Sequence, residues 1–422
     1  MPRYALIAAA TALITALATP AHAAASIVPD SGDTGWLLAS TILGLATALP
    51  GLIMIFAASY GRQHMPRLLS ATLLGAATAT LLTFVIGYSL MFDLATDTAV
   101  SGFIGGGTHV MLNLMGTLRE GTTVAETAFV AFQLGFVLIA TTLLSGALAP
   151  RARPGWLLGF TAIWYLLVLV PITRWIWGGG WLSGFGAIDT AGGLTIFTAT
   201  AISALVATAM VGTPDNTPPS VEPGLYAGGA AMLFLGLLAL GGGATLGAGD
   251  NTAVAMLSLL ASAAAAVLTL ALFRRALGAD TIATGLIAGT MAMMTAGDGF
   301  SVGGSMLTGV LAAGAAAIAP RLMPKRLAWH DSGAVIATIV TTSLTGAVLS
   351  AVFLAFAPFG GSGFPEGMGM TDQLVAQIVA IGAIALWSVI GTAIAALMMG
   401  MVLPMRATPI TRAQGSGLDQ SH

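Results

Sequence analysis

The sequence predicts an all-α integral membrane protein of eleven transmembrane helices, and three observations carry that prediction. Hydrophobic residues make up 57% of the 422 positions and charged residues only 7%, far too little charge to cover a soluble surface. Mean hydropathy is +0.94, and apolar stretches of about 20 residues, enough to cross a hydrocarbon core of about 30 Å, recur along the chain. The 55 glycines let helix backbones approach closely inside a bilayer. A net charge of −2 says nothing about nucleic acid, and no basic run suggests it. The absence of cysteine excludes disulfides, thiolate nucleophiles and Cys-ligated metals.

The chain opens as a signal peptide. Met1-Pro2-Arg3 supplies a short positive region, Ala5–Leu17 an apolar one, and Ala21-His22-Ala23 the small-x-small cleavage pattern. Residues 1–23 are therefore expected to be removed, which puts the mature N-terminus outside. The spans are expected near 35–60, 67–92, 125–148, 154–176, 191–213, 224–246, 252–274, 281–297, 303–320, 332–357 and 372–402. The membrane domain is read as 24–404 and a short cytoplasmic tail as 405–422.

The basic residues test this count. With the N-terminus outside, the inner connections and tail hold Arg62, Arg67, Arg151, Arg153, Arg274, Arg275, Arg321, Lys325, Arg326, Arg406 and Arg412. Only Arg119 and Arg174 lie on the outer side, as the positive-inside rule expects of a multi-pass protein of the bacterial inner membrane. The longest outer connection, about 92–126, carries Asp93, Asp97, Glu120 and Glu126. The linker Gly212–Gly224 divides the chain after the fifth span. Five spans on each side of it have opposite orientations, the parity of an inverted five-plus-five repeat with a final helix.

Ionisable and aromatic residues near the outer end of the fourth span point to a site. Trp164, Trp175, Trp177 and Trp181 surround Arg174 and Gly178-Gly179-Gly180. An interfacial aromatic belt accounts for Trp164, Trp175 and Trp181. Trp177, directly before three glycines, either joins that belt or presents its π face to a small cation in a vestibule.

The strings Ala131-Phe132-Gln133-Leu134-Gly135-Phe136, Gly146-Ala147-Leu148-Ala149, Trp175-Ile176-Trp177-Gly178-Gly179-Gly180 and Gly186-Ala187-Ile188-Asp189-Thr190-Ala191-Gly192-Gly193 resemble the ammonium transporter (Amt/Rh) family in order and spacing. The tail string Gly417-Leu418-Asp419-Gln420-Ser421-His422 is similar to the family's C-terminal motif but stops short of its last residues. The resemblance spans nearly the whole mature chain. It implies a homotrimer with one narrow apolar pore per subunit, a substrate of ammonium, ammonia or a related small amine, no cofactor and no metal. A cytoplasmic PII-type regulator is a further implied partner. The family's outer recruitment site maps onto Trp177, Phe136, Leu240, Ala244 and Asp189. A carboxylate at Asp189 caps the following helix, shapes the field below the recruitment site, or does both.

The departures from the family matter as much. Its two mid-pore histidines fall on Phe197, eight residues after Asp189, and Ile336, five after Asp331. The remaining histidines, His64, His109, His330 and His422, are assigned to connections, span ends or the tail. Leu237 and Leu240 stand where the family carries Trp and a second gating Phe, and Ala244 where a Ser hydroxyl is usual. Losing one acceptor and one ring weakens cation binding by about 1 kcal/mol each. Asp298 adds an acid near the outer end of the eighth span. It is either satisfied by glycine amides and water or serves as a replacement cation or proton site.

The glycine runs lack the strand–loop–helix setting of a nucleotide loop. The methionines are read as packing, and Thr341, Thr342 and Thr345 as bonding their own helix carbonyls. No nucleophile–base set suggests an enzyme. Two functions remain: ammonium or ammonia transport through a histidine-free pore, or a non-conducting ammonium sensor or accessory subunit on the same scaffold.

Overall fold

The computed structural model describes residues 28–406 except 96–97, 114–115, 213–221, 276, 298, 323–330, 355–358, 360–362 and 365–366. The expected signal peptide, most of the tail and linker, and Asp298 lie outside the described residues. The described chain is an all-α membrane protein. Its long helices are α1 (Ser31–Tyr60), α2 (Met65–Phe92), α3 (Glu126–Leu148), α4 (Pro154–Gly184, broken at 177–180), α5 (Gly193–Val211), α6 (Pro223–Gly243), α7 (Asp250–Arg274), α8 (Ala279–Met293), α9 (Val302–Leu322), α10 (Asp331–Phe353) and α11 (Met370–Val402). All but α8 are long and apolar enough to cross a membrane.

The eighth span is shorter than its sequence suggested, ending at Met293 instead of 297. The cause is tertiary. The carbonyls of Met294 and Thr295 accept hydrogen bonds from Thr190, Ala191 and Gly193 on the approach to α5, and Gly297 turns the chain at φ 56°. Irregular backbone at this depth persists because protein groups satisfy it.

Three π-helical turns also depart from expectation, at Thr83–Gly87, Tyr165–Leu169 and Gly193–Thr198. The first two face each other. The Thr83 and Tyr165 hydroxyls are hydrogen-bonded at 2.8 Å, and a Cβ on Gly87 would lie 2.1 Å from the Tyr165 oxygen. Such bulges let two helices share a polar contact without losing their ladders. Trp164 corrects the aromatic-belt reading: it is wholly buried in the bundle rather than at an interface.

Close packing of small residues joins the two halves. A Cβ on Gly51 of α1 would lie 2.5 Å from the Leu233 backbone nitrogen, and one on Gly236 of α6 would lie 2.6 Å from that of Ala48. Backbone meets backbone there, as interhelical contact in lipid requires.

The outer connection is fastened over the bundle by polar contacts. The His109 ring is hydrogen-bonded to Asp93, whose carboxylate also accepts from the Ser89 hydroxyl. The Tyr88 hydroxyl donates to Glu126, which pairs with Arg119 at 3.4 Å. Arg174, almost fully buried, donates to the carbonyls of Asp93 and Ser101. The hydrogen bond to Asp93 raises the His109 pKa against a smaller opposing effect of burial. Burial acts to raise Asp93, but the hydrogen bonds from His109 and Ser89 together hold it below its usual value.

Two predictions follow from this packing. Gly51→Leu forces two backbones apart and lowers stability by about 1–3 kcal/mol, read as a lower thermal midpoint in detergent; an unchanged midpoint would contradict the close approach. Because the folded His109 pKa is raised, its ion pair contributes fully below pH 6.5 and is lost as pH climbs through the folded value. The midpoint difference between wild type and His109→Gln should therefore shrink steadily above that pH, and a difference that grows with pH would refute the pairing.

Candidate outer vestibule and apolar pore

Trp177 is placed by the break in α4. Gly178 allows the turn, because a Cβ there would lie 1.9 Å from the Met91 carbonyl oxygen, and Gly179 takes φ 73°. The indole Nε1 of Trp177 donates to the Asp189 carbonyl at 2.6 Å, and the far edge of its ring lies against Gly192. On its other side the ring meets Phe136 of α3, with centroids 5.0 Å apart and planes at 57°. Phe136 in turn meets Phe132 edge to face at 5.2 Å. Three rings thus form one continuous aromatic wall.

That wall borders an outer cavity of about 240 Å³. Phe136, Trp177 and Ala244 line it, so three of the five residues expected at the outer site share one space. Sequence reasoning missed Phe132, Gln133, Thr190 and Leu246, which line it too. Phe132 and Gln133 lie within the Ala131–Phe136 string already singled out, and their position one turn above Phe136 was the available signal. Leu246 takes φ 55°, a conformation that side chains rarely adopt.

The charges at the rim were counted on the outer side but not assigned to the cavity. Arg119 lies over the rings of Phe129 and Phe92, with its guanidinium carbon 4.4 and 5.2 Å from their centroids. Arg119 and exposed Glu120 both line the cavity, and the Glu126 pair partly offsets the guanidinium charge.

Asp189 and Leu240 sit behind the cavity surface. The Asp189 carboxylate is buried, and its Oδ2 accepts the N–H groups of Leu194 and Thr195 at 3.1 and 2.6 Å. It therefore ties down the first turn of α5, while Oδ1 lies buried without a partner among the described residues. Leu240 is fully buried. Its side chain fills the space over Gly44 of α1, where an added Cβ would lie 2.4 Å away, and reaches within ordinary contact of Gly135 on α3.

Two positions farther into the bundle are apolar. Phe197 sits in the π turn of α5 with 0% of its surface exposed, and Ile336 on α10 with 2%. The two elements pack against each other. Ile339, one turn along α10 and fully buried, extends the apolar face. Thr341, Thr342 and Thr345 donate to carbonyls one turn earlier in their own helix, at 2.9, 2.7 and 2.7 Å. The described histidines are His64, beside the start of α2, and His109 in the outer connection. A second cavity of about 200 Å³ lies at the opposite helix ends, where Ser59, Tyr226, Thr284 and Thr338 meet the Arg274–Asp280 pair.

An aromatic wall attracts a small cation through ring quadrupoles, by about 0.5–2 kcal/mol according to solvent exposure. An interior of Phe and Ile side chains does the reverse, because an ion stripped of water there has no compensating dipole.

A profile of the Ammonium Transporter Family matches residues 35–422. An ammonium transporter of Aquifex aeolicus is 29% identical over 390 residues, covering 90% of each chain. An ammonium transporter of Mycobacterium tuberculosis is 28% identical over 441 residues, covering 93% of this chain and 89% of the other. The crystal structure of Candida albicans Mep2 superposes with a TM-score of 0.77 at 25% identity, over 89% of this chain and 85% of that one. A sensor Amt protein superposes with a TM-score of 0.78 at 22% identity, over 91% and 98%. With the helical architecture, the aromatic mouth and this match along almost the full length, the chain belongs to the ammonium transporter family.

Proposed function

We propose that this protein moves ammonia across the membrane, collecting ammonium in the outer cavity and passing the neutral molecule through a pore without histidines. The observation that supports it most directly is the sequence of environments: a ring-lined cavity at Trp177 and Phe136, then fully buried Phe197 and Ile336 where the family carries imidazoles. Asp189 orients the start of α5 and places a carboxylate close behind the cavity wall, favouring a cation at the mouth. Leu240 is the apolar gate below it, and Ala244 supplies no hydroxyl to the ligand. Asp298, which lies outside the described residues, is either satisfied by neighbouring amides and water or a replacement cation-attracting group. Membership of a transporter family supports reading the protein as a transporter rather than an enzyme.

The proposal includes the family's assembly and setting. The protein is a homotrimer of the bacterial inner membrane, with the mature N-terminus periplasmic and the C-terminus cytoplasmic after loss of residues 1–23. The gathering of Arg67, Arg151, Arg153 and Arg406 at one end of the bundle supports that orientation. A PII-type regulator would meet the protein on this face. A non-conducting sensor is the second reading, favoured by the missing imidazoles.

Purified protein in liposomes should give an ammonia-driven internal pH rise with little ammonium-evoked current. Silence in both readouts, with ammonium still bound outside, would leave the sensor reading in place and remove the transporter one. Phe197→His with Ile336→His should add ammonium-evoked current if the imidazoles are the missing proton path; a double variant with no gain would contradict that account. Trp177→Ala should weaken ammonium binding by about three- to tenfold, measured by calorimetry on folded protein. An unchanged affinity would place the ligand elsewhere.

A further inference from the structure

A crevice of about 220 Å³ opens between α2 and α4 at the arginine-rich end of the bundle, away from both cavities described above. Its mouth is formed by Pro66, Arg67 and Pro154, and its walls run inward along Ala71 and Leu74 of α2 and Leu157 and Leu158 of α4. From Arg67 to Leu74 the helix advances about 10 Å, about a third of the hydrocarbon core. The space exists because small residues face it: Gly75 and Ala71 on one side, Ala149 and Ala152 on the other. A Cβ on Gly75 would lie 2.5 Å from the Ser145 hydroxyl, so the crevice floor is already at contact.

The mouth carries positive charge that no ion pair among the described residues offsets. Arg67 is half-buried and spends one of its five N–H donors on the Ala152 carbonyl, at 2.9 Å. Arg153 is exposed beside Pro154. Arg151 is buried, with its Nε unpartnered among the described residues. Arg406 comes to the same place, because its backbone pairs with Ala152 and its guanidinium donates to the Val211 carbonyl. None of the ion pairs among the described residues involves Arg67, Arg151 or Arg153. A second copy of this chain would bring the same cationic end to the same membrane depth, so like charges oppose it as the occupant.

We propose that this crevice is a binding site for one anionic phospholipid, its phosphate held by Arg67 and Arg153 and one acyl chain laid between Leu74 and Leu158. Each arginine near an anionic headgroup contributes attraction that a zwitterionic lipid does not earn, because the choline charge cancels it. The apolar walls then exclude the aqueous alternative, since a soluble phosphate gains nothing from them.

Native mass spectrometry of the full chain in detergent, titrated with phosphatidylglycerol and phosphatidylcholine of matched chains, tests the assignment. Phosphatidylglycerol should bind roughly tenfold more tightly at one site per subunit. Arg67→Gln with Arg153→Gln should reduce it to the phosphatidylcholine level, and Ser70→Trp, which fills the mouth, should weaken both lipids. Arg153→Gln alone, on an exposed side chain, gives the same direction should the double variant fail to fold. Glycerol phosphate at equal concentration should displace neither lipid. Equal affinity of the two lipids, or binding indifferent to the arginine variants, overturns the proposal. Displacement by glycerol phosphate would make the site a plain anion site and overturns it as well. So does a Ser70→Trp variant that dissociates the oligomer yet binds phosphatidylglycerol unchanged, because the occupant would then be a neighbouring subunit.

Discussion

The structure depends on one junction inside the bundle, where the approach to α5 meets the end of α8. Thr190 and Ala191 donate to the carbonyls of Thr295 and Met294 at 2.9 Å, and Gly193 donates to Met294 at 3.3 Å. Backbone groups at such a depth have no water to turn to, so two irregular segments can exist there only by satisfying one another. Gly193 is required by the closeness of the pairing: a Cβ would lie 1.9 Å from the Thr295 hydroxyl. The same junction sets Asp189 under the indole of Trp177 and starts the π turn that carries Phe197. Mouth and interior are therefore fixed by a single set of backbone hydrogen bonds.

Desolvation then assigns the two regions different tasks. In the proposed transport, rings from α3 and from the break in α4, with partly exposed polar groups, hold a small cation at the mouth while it keeps part of its water. Beyond them Leu240, Phe197, Ile336 and Ile339 are buried, and none of these four side chains offers an acceptor for an ammonium proton or a relay to carry it away. A proton released at the mouth has polar partners nearby in Asp189 and Thr190, on the outer side of the apolar stretch. Neutral ammonia is the species for which such a stretch is least costly.

Much of this was legible in the sequence because membranes restrict what a chain can do. Apolar runs, arginine asymmetry and the parity of the spans located ten helices closely and an eleventh approximately. The Trp177 motif was readable because three glycines after a tryptophan announce a tight break. The short α8 was not, since its end is set by hydrogen bonds to residues about one hundred positions earlier. The π turn at Thr83–Gly87 was equally hidden, because its cause is the hydroxyl of Tyr165 on another helix. Arg119 was counted as an outer charge, yet its place over Phe129 depends on how the outer connection folds back. Trp164 misled for another reason: ten residues into α4 it lies too far from the span ends to join an aromatic belt, and the bundle buries it completely.

The central claim is that charge stops at the mouth. Its most direct test is the dependence of the rate of total ammonium uptake (ammonia plus ammonium) on an imposed membrane potential in liposomes bearing the purified protein. A potential of about 100 mV is worth about 2.3 kcal/mol to one elementary charge crossing the membrane, so passage of ammonium, or of ammonia with its proton, should accelerate several-fold when the interior is negative. The account predicts a rate that does not move with voltage. A rate that climbs with inside-negative potential would show that a charge crosses the apolar stretch and would contradict it.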